Sequence, residues 1–292
     1  MLTLRPEKYR MIFFIINIKS GSKSTSSKAQ LIQILNKIEN SSLHFTEFSG
    51  HGSELARLAI SQQVSKLIVV GGDGTINEVA SELIHTKIPL GIIPIGSGNG
   101  LARHLNIPMD FKAALNKALH GNYNAIDSLM WNEKPFFCTA GIGFDAYVAE
   151  EFSKTQHRGF LNYIKSTLRS SLTYVPIQVE INNNTEYVFS LSIANANQFG
   201  NNAYISPLSN IQDALFEVVK VSPLHFIEKA QLGIRLFLKT IQTHPKVAIE
   251  SHKIFAFSIK KGICYHIDGE SLISEDSKVK IIILPKSLIV VN

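Results

Sequence analysis

Three glycines surround a single carboxylate in the stretch Gly71-Gly72-Asp73-Gly74-Thr75. The apolar run 67–70 before it is typical of a buried strand, and apolar residues at helical spacing follow it. Glycine lets backbone amides approach a compact ligand, and a helix N-terminus favours an anion. A carboxylate beside phosphates indicates an intervening divalent cation or hydroxyl proton. The loop therefore predicts a nucleotide phosphate site, and hence a kinase.

Two further loops repeat this arrangement. The strand-like run 89–93 is followed by Ile-Gly-Ser-Gly-Asn-Gly at 95–100, and the apolar run 11–16 is followed by Asn-Ile-Lys-Ser-Gly at 17–21. Because the carboxyl ends of parallel strands share one edge of a sheet, these loops are expected to meet at a single crevice. Thr75 and Glu78 also fit a capping box at the start of the helix after the first loop.

The composition is that of a well-packed globular protein. Of the 292 residues, 45% are hydrophobic and 18% are charged. The two cysteines lack a CxxC context, the histidines form no zinc-like cluster, and no targeting segment is evident. These features predict a cytoplasmic protein. The net charge of +6 is uneven, since residues 1–125 carry 13 basic and 8 acidic side chains, or +5. No basic run interleaved with aromatic residues supports nucleic-acid binding.

The pattern of predicted strands and helices changes near residue 125. Strand and helix patterns alternate before this point, which predicts a doubly wound α/β nucleotide-binding domain over 8–125. Strand-like stretches dominate afterwards, which predicts a β-sandwich-like domain over 126–280. The final segment, 281–292, is interpreted as a strand that could return to the first domain.

Two helices are expected within the β-rich half. One covers about 224–240, with Ser222 as N-cap and Pro223 at the first helical position. The other covers about 149–172 and places a basic stripe beside an apolar one. The stripe consists of Lys154, Arg158, Lys165 and Arg169. This pattern suits peripheral contact with an anionic membrane, but it also fits a solvated face above a core face.

The loop at 71–75, together with Ile76-Asn77-Glu78, resembles the diacylglycerol kinase catalytic family. The segment 94–103, Pro-Ile-Gly-Ser-Gly-Asn-Gly-Leu-Ala-Arg, resembles the same family. The resemblance covers nearly the whole chain. It implies that ATP binds between an α/β domain and a β-sandwich domain, and that its γ-phosphate passes to a lipid hydroxyl. The nucleotide contacts that it implies are Asn17, Ser20, Gly21, Thr46, Gly71, Gly72, Asp73, Gly74, Thr75, Asn77 and Ser97.

The resemblance also implies catalytic and metal-binding residues. Asp268-Gly269-Glu270 is similar to the family's acidic motif, in which Glu270 would be the general base and Asp268 would help hold Mg²⁺. Asp73 is the alternative base. From the residues alone, Asp-Gly is also a hairpin-turn signal with a surface glutamate. The segment 210–215 is similar to a structural Mg²⁺ loop in bacterial members, with ligands from Asn210, Asp213 and Leu215.

Three positions depart from the family pattern. Ile18 stands where proline is common, Gly100 where many members have aspartate, and Ala214 where glycine is usual. Several alternatives therefore stay open: a diacylglycerol kinase, a sphingoid-base kinase, an NAD-kinase-like enzyme with a soluble acceptor, and an inactive nucleotide or lipid sensor. The expected partners are a lipid substrate, a transient membrane surface and a second copy in a homodimer.

Overall fold

The computed structural model describes residues 11–21, 25–154, 171 and 174–292, with the backbone alone at 25–28 and 152–154. The chain forms two compact units. The first unit comprises Met1–Ile126 and Ser287–Asn292, and the second unit comprises Asp127–Lys286.

The first unit alternates strands with helices. Its elements are β1 (Ile12–Ile16), α1 (Thr25–Leu35), β2 (Ser41–Phe45), α2 (His51–Ser61), β3 (Lys66–Gly71), α3 (Asp73–Leu83), β4 (Leu90–Pro94), α4 (Gly100–His104) and α5 (Phe111–His120). The strand order is β2-β1-β3-β4, and all of these pairs are parallel. Val290, near the end of the last strand of the chain, pairs in parallel with Leu90.

Three strands of this sheet are buried, whereas β2 is half-buried. Every residue of β3 and β4 is buried, as are four of the five residues of β1. Such continuous apolar runs are typical of central parallel strands. The predicted doubly wound α/β fold is confirmed for this part of the chain.

The second unit is rich in antiparallel strands. Its strands are β5 (Tyr123–Trp131, which begins in the first unit), β6 (Lys134–Phe136), β7 (Thr139–Gly143), β8 (Ile177–Ile181), β9 (Asn184–Val188), β10 (Ser190–Ala194), β11 (Phe216–Val221), β12 (Val247–His252), β13 (Ile254–Ile259), β14 (Cys264–Ile267), β15 (Glu270–Ile273) and β16 (Lys278–Val291, which ends in the first unit). Its helices in the described part of the chain include α6 (Phe144–Lys154) and α7 (Phe226–Leu238), and a 3-10 turn covers Ile241–Thr243.

These strands form two layers around a shared core. One layer has the order β12-β11-β10-β7-β14-β15, and the other contains β16, β13, β8 and β9 with the β5–β6 hairpin. Trp131, Phe216, Phe257 and Tyr265 lie in the core between them. The predicted β-sandwich-like fold is therefore confirmed. Strands β8 and β9 form a hairpin, and Asn182 and Asn183 at its turn both adopt positive φ.

Both helices of this unit differ from their predicted bounds. Helix α7 begins at Phe226 with His225 as N-cap, so Ser222 is not the cap and Pro223 is not its first residue. The backbone amide of His225 instead donates to the Glu228 carboxylate at 2.8 Å. Helix α6 begins at Phe144, before the predicted residue 149. The side chains of the predicted basic stripe, Lys154, Arg158, Lys165 and Arg169, lie outside the described residues.

Candidate nucleotide and acceptor site

The strand order of the first unit creates a crevice at one position. From β1 the chain passes to β2 on one side, and from β2 it crosses to β3 on the other side. The loops that follow β1 and β3 therefore diverge at adjacent strand ends. Ligands of open α/β sheets bind at such topological switch points. The loops after these two strands are Asn17 to Gly21 and Gly71 to Thr75, which the sequence singled out.

The three glycine-containing loops are in direct contact with one another. A Cβ atom on Gly21 would lie 1.9 Å from the carbonyl oxygen of Ile95, and Gly21 has a φ of +73°. A Cβ atom on Gly96 would lie 2.6 Å from the Cα atom of Gly72. Only glycine permits this approach, because any side chain would collide with the backbone of a neighbouring loop. The loops after β1, β3 and β4 thus share one surface.

Side chains and backbone groups tie these loops together. The Asn17 amide group donates to the Thr75 hydroxyl at 2.8 Å, and the Ile95 amide donates to the Gly71 carbonyl oxygen at 2.9 Å. Thr46 is buried, and its amide donates to Ile16 at 3.0 Å, so the loop after β2 lies at the same strand edge. Ser97 is exposed, and Asn77 is half-buried in α3. The predicted nucleotide contacts are therefore grouped on one edge of the sheet.

The Asp73 carboxylate binds the backbone of the neighbouring loop. Its Oδ2 atom accepts from the Asn99 amide and its Oδ1 atom from the Gly100 amide, both at 2.8 Å. These amides lie at the start of α4, so the carboxylate satisfies donors that have no partner within the helix. Arg103 also supports the loop, donating from Nε to the Gly98 carbonyl oxygen at 3.1 Å. Asp73 thus positions the loop after β4.

The predicted capping box is wrong. Helix α3 begins at Asp73 with Gly72 as its N-cap, three residues earlier than the box requires, and Thr75 lies within its first turn. The Glu78 carboxylate accepts instead from the amides of Gly50 and Gly52, at 2.8 and 2.9 Å, at the N-terminus of α2. The sequence spacing of Thr75 and Glu78 could not reveal this, because the two partners are distant along the chain. Glu78 therefore links the helices that follow β2 and β3.

In the second unit, Asp268 and Gly269 form the tight turn between β14 and β15. Both residues have positive φ, as a two-residue type I′ hairpin requires. The Asp268 carboxylate accepts from the amides of Phe137, Cys138 and Thr139 at 2.8 to 3.1 Å. Glu270 is the first residue of β15 and is exposed. The hairpin interpretation and the acidic motif therefore coexist, with Asp268 anchoring the turn that presents Glu270.

The predicted metal loop has an ordered backbone. Asp213 Oδ1 accepts from the Leu215 amide at 3.0 Å, and Asn210 Oδ1 accepts from the Gln212 amide at 3.2 Å. Ala214 has a φ of +61°, the conformation for which glycine is usual. Its amide donates to the buried carboxylate of Asp127 at 2.8 Å. The alanine therefore keeps the turn that glycine would adopt, held in place by Asp127.

The Glu217 carboxyl lies close enough to this loop to interact with Asp213. Burial raises the pKa of the Glu217 carboxyl; the Ser209 hydroxyl that donates to it opposes the rise, and the negative charge of Asp213 adds to it. Within the described ranges, no group of three or more His, Cys, Asp and Glu side chains is arranged to hold a metal. A cation at the loop would therefore depend on Asp213 and on carbonyl oxygens, which are donors that suit Mg²⁺.

No sequence pattern predicts the polar cluster formed by Asp145, Ser192 and His266. Asp145 Oδ2 accepts from the Ser192 hydroxyl at 2.6 Å and lies 3.3 Å from His266 Nε2. Asp145 Oδ1 accepts from the Ala146 amide at 2.9 Å, which fixes the start of α6. His266 lies in β14, two residues before Asp268. No local spacing relates these residues, since they lie on α6, β10 and β14 and come together only when the chain folds.

Two family models cover almost the entire chain. Residues 11–131 match the diacylglycerol kinase catalytic domain, and residues 138–292 match the YegS C-terminal NAD kinase beta sandwich-like domain. No helix among the described residues is long and apolar enough to cross a bilayer.

Individual proteins agree with these models. A diacylglycerol kinase of Staphylococcus carnosus is 27% identical, over 83% of this chain and 83% of its own. The "Probable lipid kinase YegS" of Escherichia coli is 29% identical, over 77% of both chains. The crystal structure of a diacylglycerol kinase from Bacillus anthracis superposes with a TM-score of 0.72 at 17% identity, covering 97% of both chains. The predicted resemblance is confirmed, and the chain belongs to the diacylglycerol kinase family of lipid kinases.

Proposed function

We propose that this chain is an ATP-dependent lipid kinase that transfers the γ-phosphate to a lipid hydroxyl, with diacylglycerol as the first acceptor to test. The observation that carries the proposal is the close approach of Gly21 to the Ile95 carbonyl and of Gly96 to Gly72, at the switch point of the sheet. Glycines packed this closely leave backbone amides at strand ends without covering side chains. Such amides and a helix N-terminus suit the phosphates of a nucleotide.

In this proposal, the first unit binds and orients the nucleotide. The loops after β1, β3 and β4 bind its phosphates, and Thr46 and Asn77 complete the contacts. Asn17 and Thr75 are hydrogen-bonded to each other at 2.8 Å, so each holds the other in place when phosphates bind. Asp73 keeps the loop after β4 close to α3. This preorganisation lowers the cost of positioning the γ-phosphate for in-line transfer.

The residues present fit Mg²⁺ to different degrees. Asn210, Asp213 and Leu215 offer a carboxylate and carbonyl oxygens next to the buried Glu217, and these would hold a structural Mg²⁺ ion. Asp268 already accepts from three amides and a carboxylate has about four acceptor positions, so its contacts favour an anchoring role over the expected metal role. When bound with ATP, Mg²⁺ neutralises charge on the phosphates.

Glu270 is the proposed general base. The acceptor oxygen forms a bond to the γ-phosphorus as the bond between that phosphorus and the β–γ bridging oxygen breaks, and ADP leaves. The hydroxyl proton passes to the Glu270 carboxylate. Glu270 is preferred to Asp73 because both oxygens of Asp73 accept from backbone amides, whereas Glu270 is exposed at the first position of a strand. Asp73 is then a positioning residue.

A panel of acceptors tests the proposal. The protein is incubated with ATP-Mg²⁺ and, separately, with diacylglycerol, sphingosine, ceramide and NAD, and phosphorylated products are separated by chromatography. Phosphatidic acid as product is the expected result. A phosphorylated sphingoid base would identify a different lipid acceptor, and phosphorylated NAD alone would contradict a lipid kinase. No product with any acceptor would favour the nucleotide or lipid sensor.

We also propose that the enzyme works in the cytoplasm and contacts the membrane transiently, because its acceptor would reside in a bilayer. The predicted homodimer stays a prediction.

A further inference from the structure

Helix α7 exposes an unusually apolar surface. Its outer-face residues are Phe226, Ile227, Ala230, Ile234, Phe237 and Leu238, and these define the α7 outer face. The exposed fractions of Phe226, Ile227, Ile234 and Leu238 are 68, 70, 60 and 65%. At about 100° per residue, all six residues fall within an arc of about 120°. They therefore form one continuous stripe.

The opposite face of α7 is apolar as well, and it is already used. Leu232 is buried and Leu236 is partly buried in a cluster with Val219, Val221 and Ile241, on the sheet that contains β10 and β11. A surface helix with a buried apolar face ordinarily presents polar residues to solvent. A helix that is apolar on nearly all sides is ordinarily buried. The outer face of α7 therefore lacks the polar character that water contact alone would favour.

Basic side chains flank this stripe. Lys229 and Arg235 lie about 60° beyond its two edges on the helix, and Lys239 and Lys246 follow at or beyond its C-terminal end. Over 222–246 the chain carries four Lys and Arg residues and one acidic residue, Glu228, giving a formal charge of +3. Lys229 Nζ donates to the Ser171 carbonyl oxygen at 2.6 Å, and Lys239 Nζ lies 4.3 Å from the centre of the Tyr204 ring, so their charges are held at the margin of the stripe. A basic margin beside an apolar helical face is the pattern of an interfacial helix.

We propose that the α7 outer face is a membrane-docking surface that inserts into the interface of a bilayer containing anionic lipids. The inference rests on the proposed lipid kinase function, because an acceptor with long acyl chains resides in such a bilayer. A second copy of the chain fits this surface less well. An isologous contact through α7 would place two segments of charge +3 against each other, whereas anionic headgroups complement them.

Binding of the full-length protein to vesicles tests the proposal without requiring activity. The vesicles are phosphatidylcholine with about one-third phosphatidylglycerol by mole, or phosphatidylcholine alone, and binding is measured by co-sedimentation. The variant Ile227→Gln/Ile234→Gln changes two exposed residues of the face. The control, Tyr187→Gln/Ile254→Gln, changes two side chains that are 62 and 61% exposed on β9 and β13, in the other layer of the sandwich.

The wild type is expected to bind the anionic vesicles more tightly than the neutral ones and to lose binding as salt is raised. The α7 variant should bind anionic vesicles at least about tenfold more weakly, while the control should stay within about twofold of wild type. Equal binding by the α7 variant and the wild type, or no wild-type binding, would overturn the proposal. Sedimentation equilibrium of the same proteins adds a separate check. A wild-type dimer that the α7 substitutions dissociate, with vesicle binding unchanged, would assign the face to a second copy instead.

Failure of the proposed function is distinguishable from failure of docking. Acceptor lipid dispersed in detergent bypasses the bilayer, so the α7 variant should phosphorylate it at the wild-type rate while losing activity on vesicles. A protein that binds vesicles through α7 but phosphorylates no acceptor would retain the docking surface and lose the kinase proposal. Equal losses on detergent and on vesicles would contradict docking as the role of this face.

Discussion

Asp73 and Asp268 lie next to glycines in different units, and the carboxylate of each accepts hydrogen bonds from backbone amides. Asp73 accepts from two amides at the start of α4 and thereby joins two loops that lie at the same crevice. Asp268 accepts from the amides of residues 137–139, at the start of β7, and anchors a hairpin turn. In the first unit the carboxylate belongs to a loop of the proposed nucleotide site. In the second unit it lies behind an exposed residue, Glu270.

This difference distinguishes a general base from a carboxylate that anchors backbone, two roles that the residue types alone do not separate. An aspartate in a glycine-rich motif is a candidate base until its acceptor positions are found to be occupied. Asp127 extends the comparison, since it is fully buried and its two oxygens accept from the amides of Ala214 and Lys286. Loop geometry in both units thus depends on aspartates that bind backbone amides, which is consistent with the proposal that Glu270 is the base.

The largest expected effect comes from Glu270→Gln, which keeps the side-chain size and removes the proton acceptor. Turnover should fall about 10³-fold, equivalent to about 4 kcal/mol of barrier. Thermal stability should not change, since Glu270 is exposed. Steady-state phosphotransfer with Mg-ATP and the accepted lipid measures the effect, with the exposed Glu275→Gln as matched control. Near-normal turnover would remove Glu270 from the role of base and return Asp73 to it.

Asp268→Ala and Asp73→Ala compare the two anchors directly. Asp268→Ala leaves the amides of three buried residues without an acceptor and should cost about 3 kcal/mol of unfolding free energy. Asp73→Ala leaves two such amides and should cost about 2 kcal/mol. Hydrogen exchange at residues 137–139 and 99–100 localises each loss, because the two units could unfold separately. Unchanged protection at either set of amides would show that the carboxylate there is dispensable.

In both units the sequence predicts local features but not the hydrogen bonds between distant residues. The α/β pattern and the glycine loops were predictable, because strand burial and phosphate-type loops depend on neighbours in sequence. Hydrogen-bond partners were not, since Glu78 reaches α2 and Asp145 reaches His266 only after the chain folds. Likewise, Ser222 and Pro223 satisfied local capping rules, yet α7 begins at Phe226. The apolar outer face of α7 was visible in the sequence, but its exposure was not.

Gly96 allows two loops to approach closely, whereas Gly269 allows a positive φ in a turn. The variants Gly96→Ala and Gly269→Ala test these two roles separately. A Cβ at position 96 would meet the backbone of Gly72 at 2.6 Å, so the loops must separate. Affinity for Mg-ATP should fall about tenfold, or about 1.4 kcal/mol. A Cβ at position 269 meets nothing within 4 Å, but φ is +83°. This change should cost about 1 kcal/mol of stability and leave nucleotide affinity intact. Calorimetric titration and denaturant unfolding measure the two effects.

If Gly96→Ala and Gly269→Ala both lost nucleotide affinity, or if neither did, the two glycines would not differ in the way proposed. Gly96 would then not be needed for the close approach of loops, or Gly269 would not be needed for backbone conformation alone. Gly74→Ala is a control for the fold alone, because Gly74 is itself a proposed nucleotide contact. A Cβ there meets nothing within 4 Å, so the fold of the first unit should be unaffected.

The smallest expected effect is a gain. Ala214 adopts a left-handed conformation with a φ of +61° because Asp127 holds its amide. Ala214→Gly relieves strain of about 1–2 kcal/mol, which outweighs the backbone entropy that glycine loses, and stability should rise by about 1 kcal/mol. Ala248→Gly on the exposed strand β12 is the matched control and should lower stability. Denaturant unfolding of both variants measures the sign. A loss in Ala214→Gly would mean that the alanine methyl group stabilises the loop through packing, and that the Asp127 hydrogen bond does not impose a strained turn.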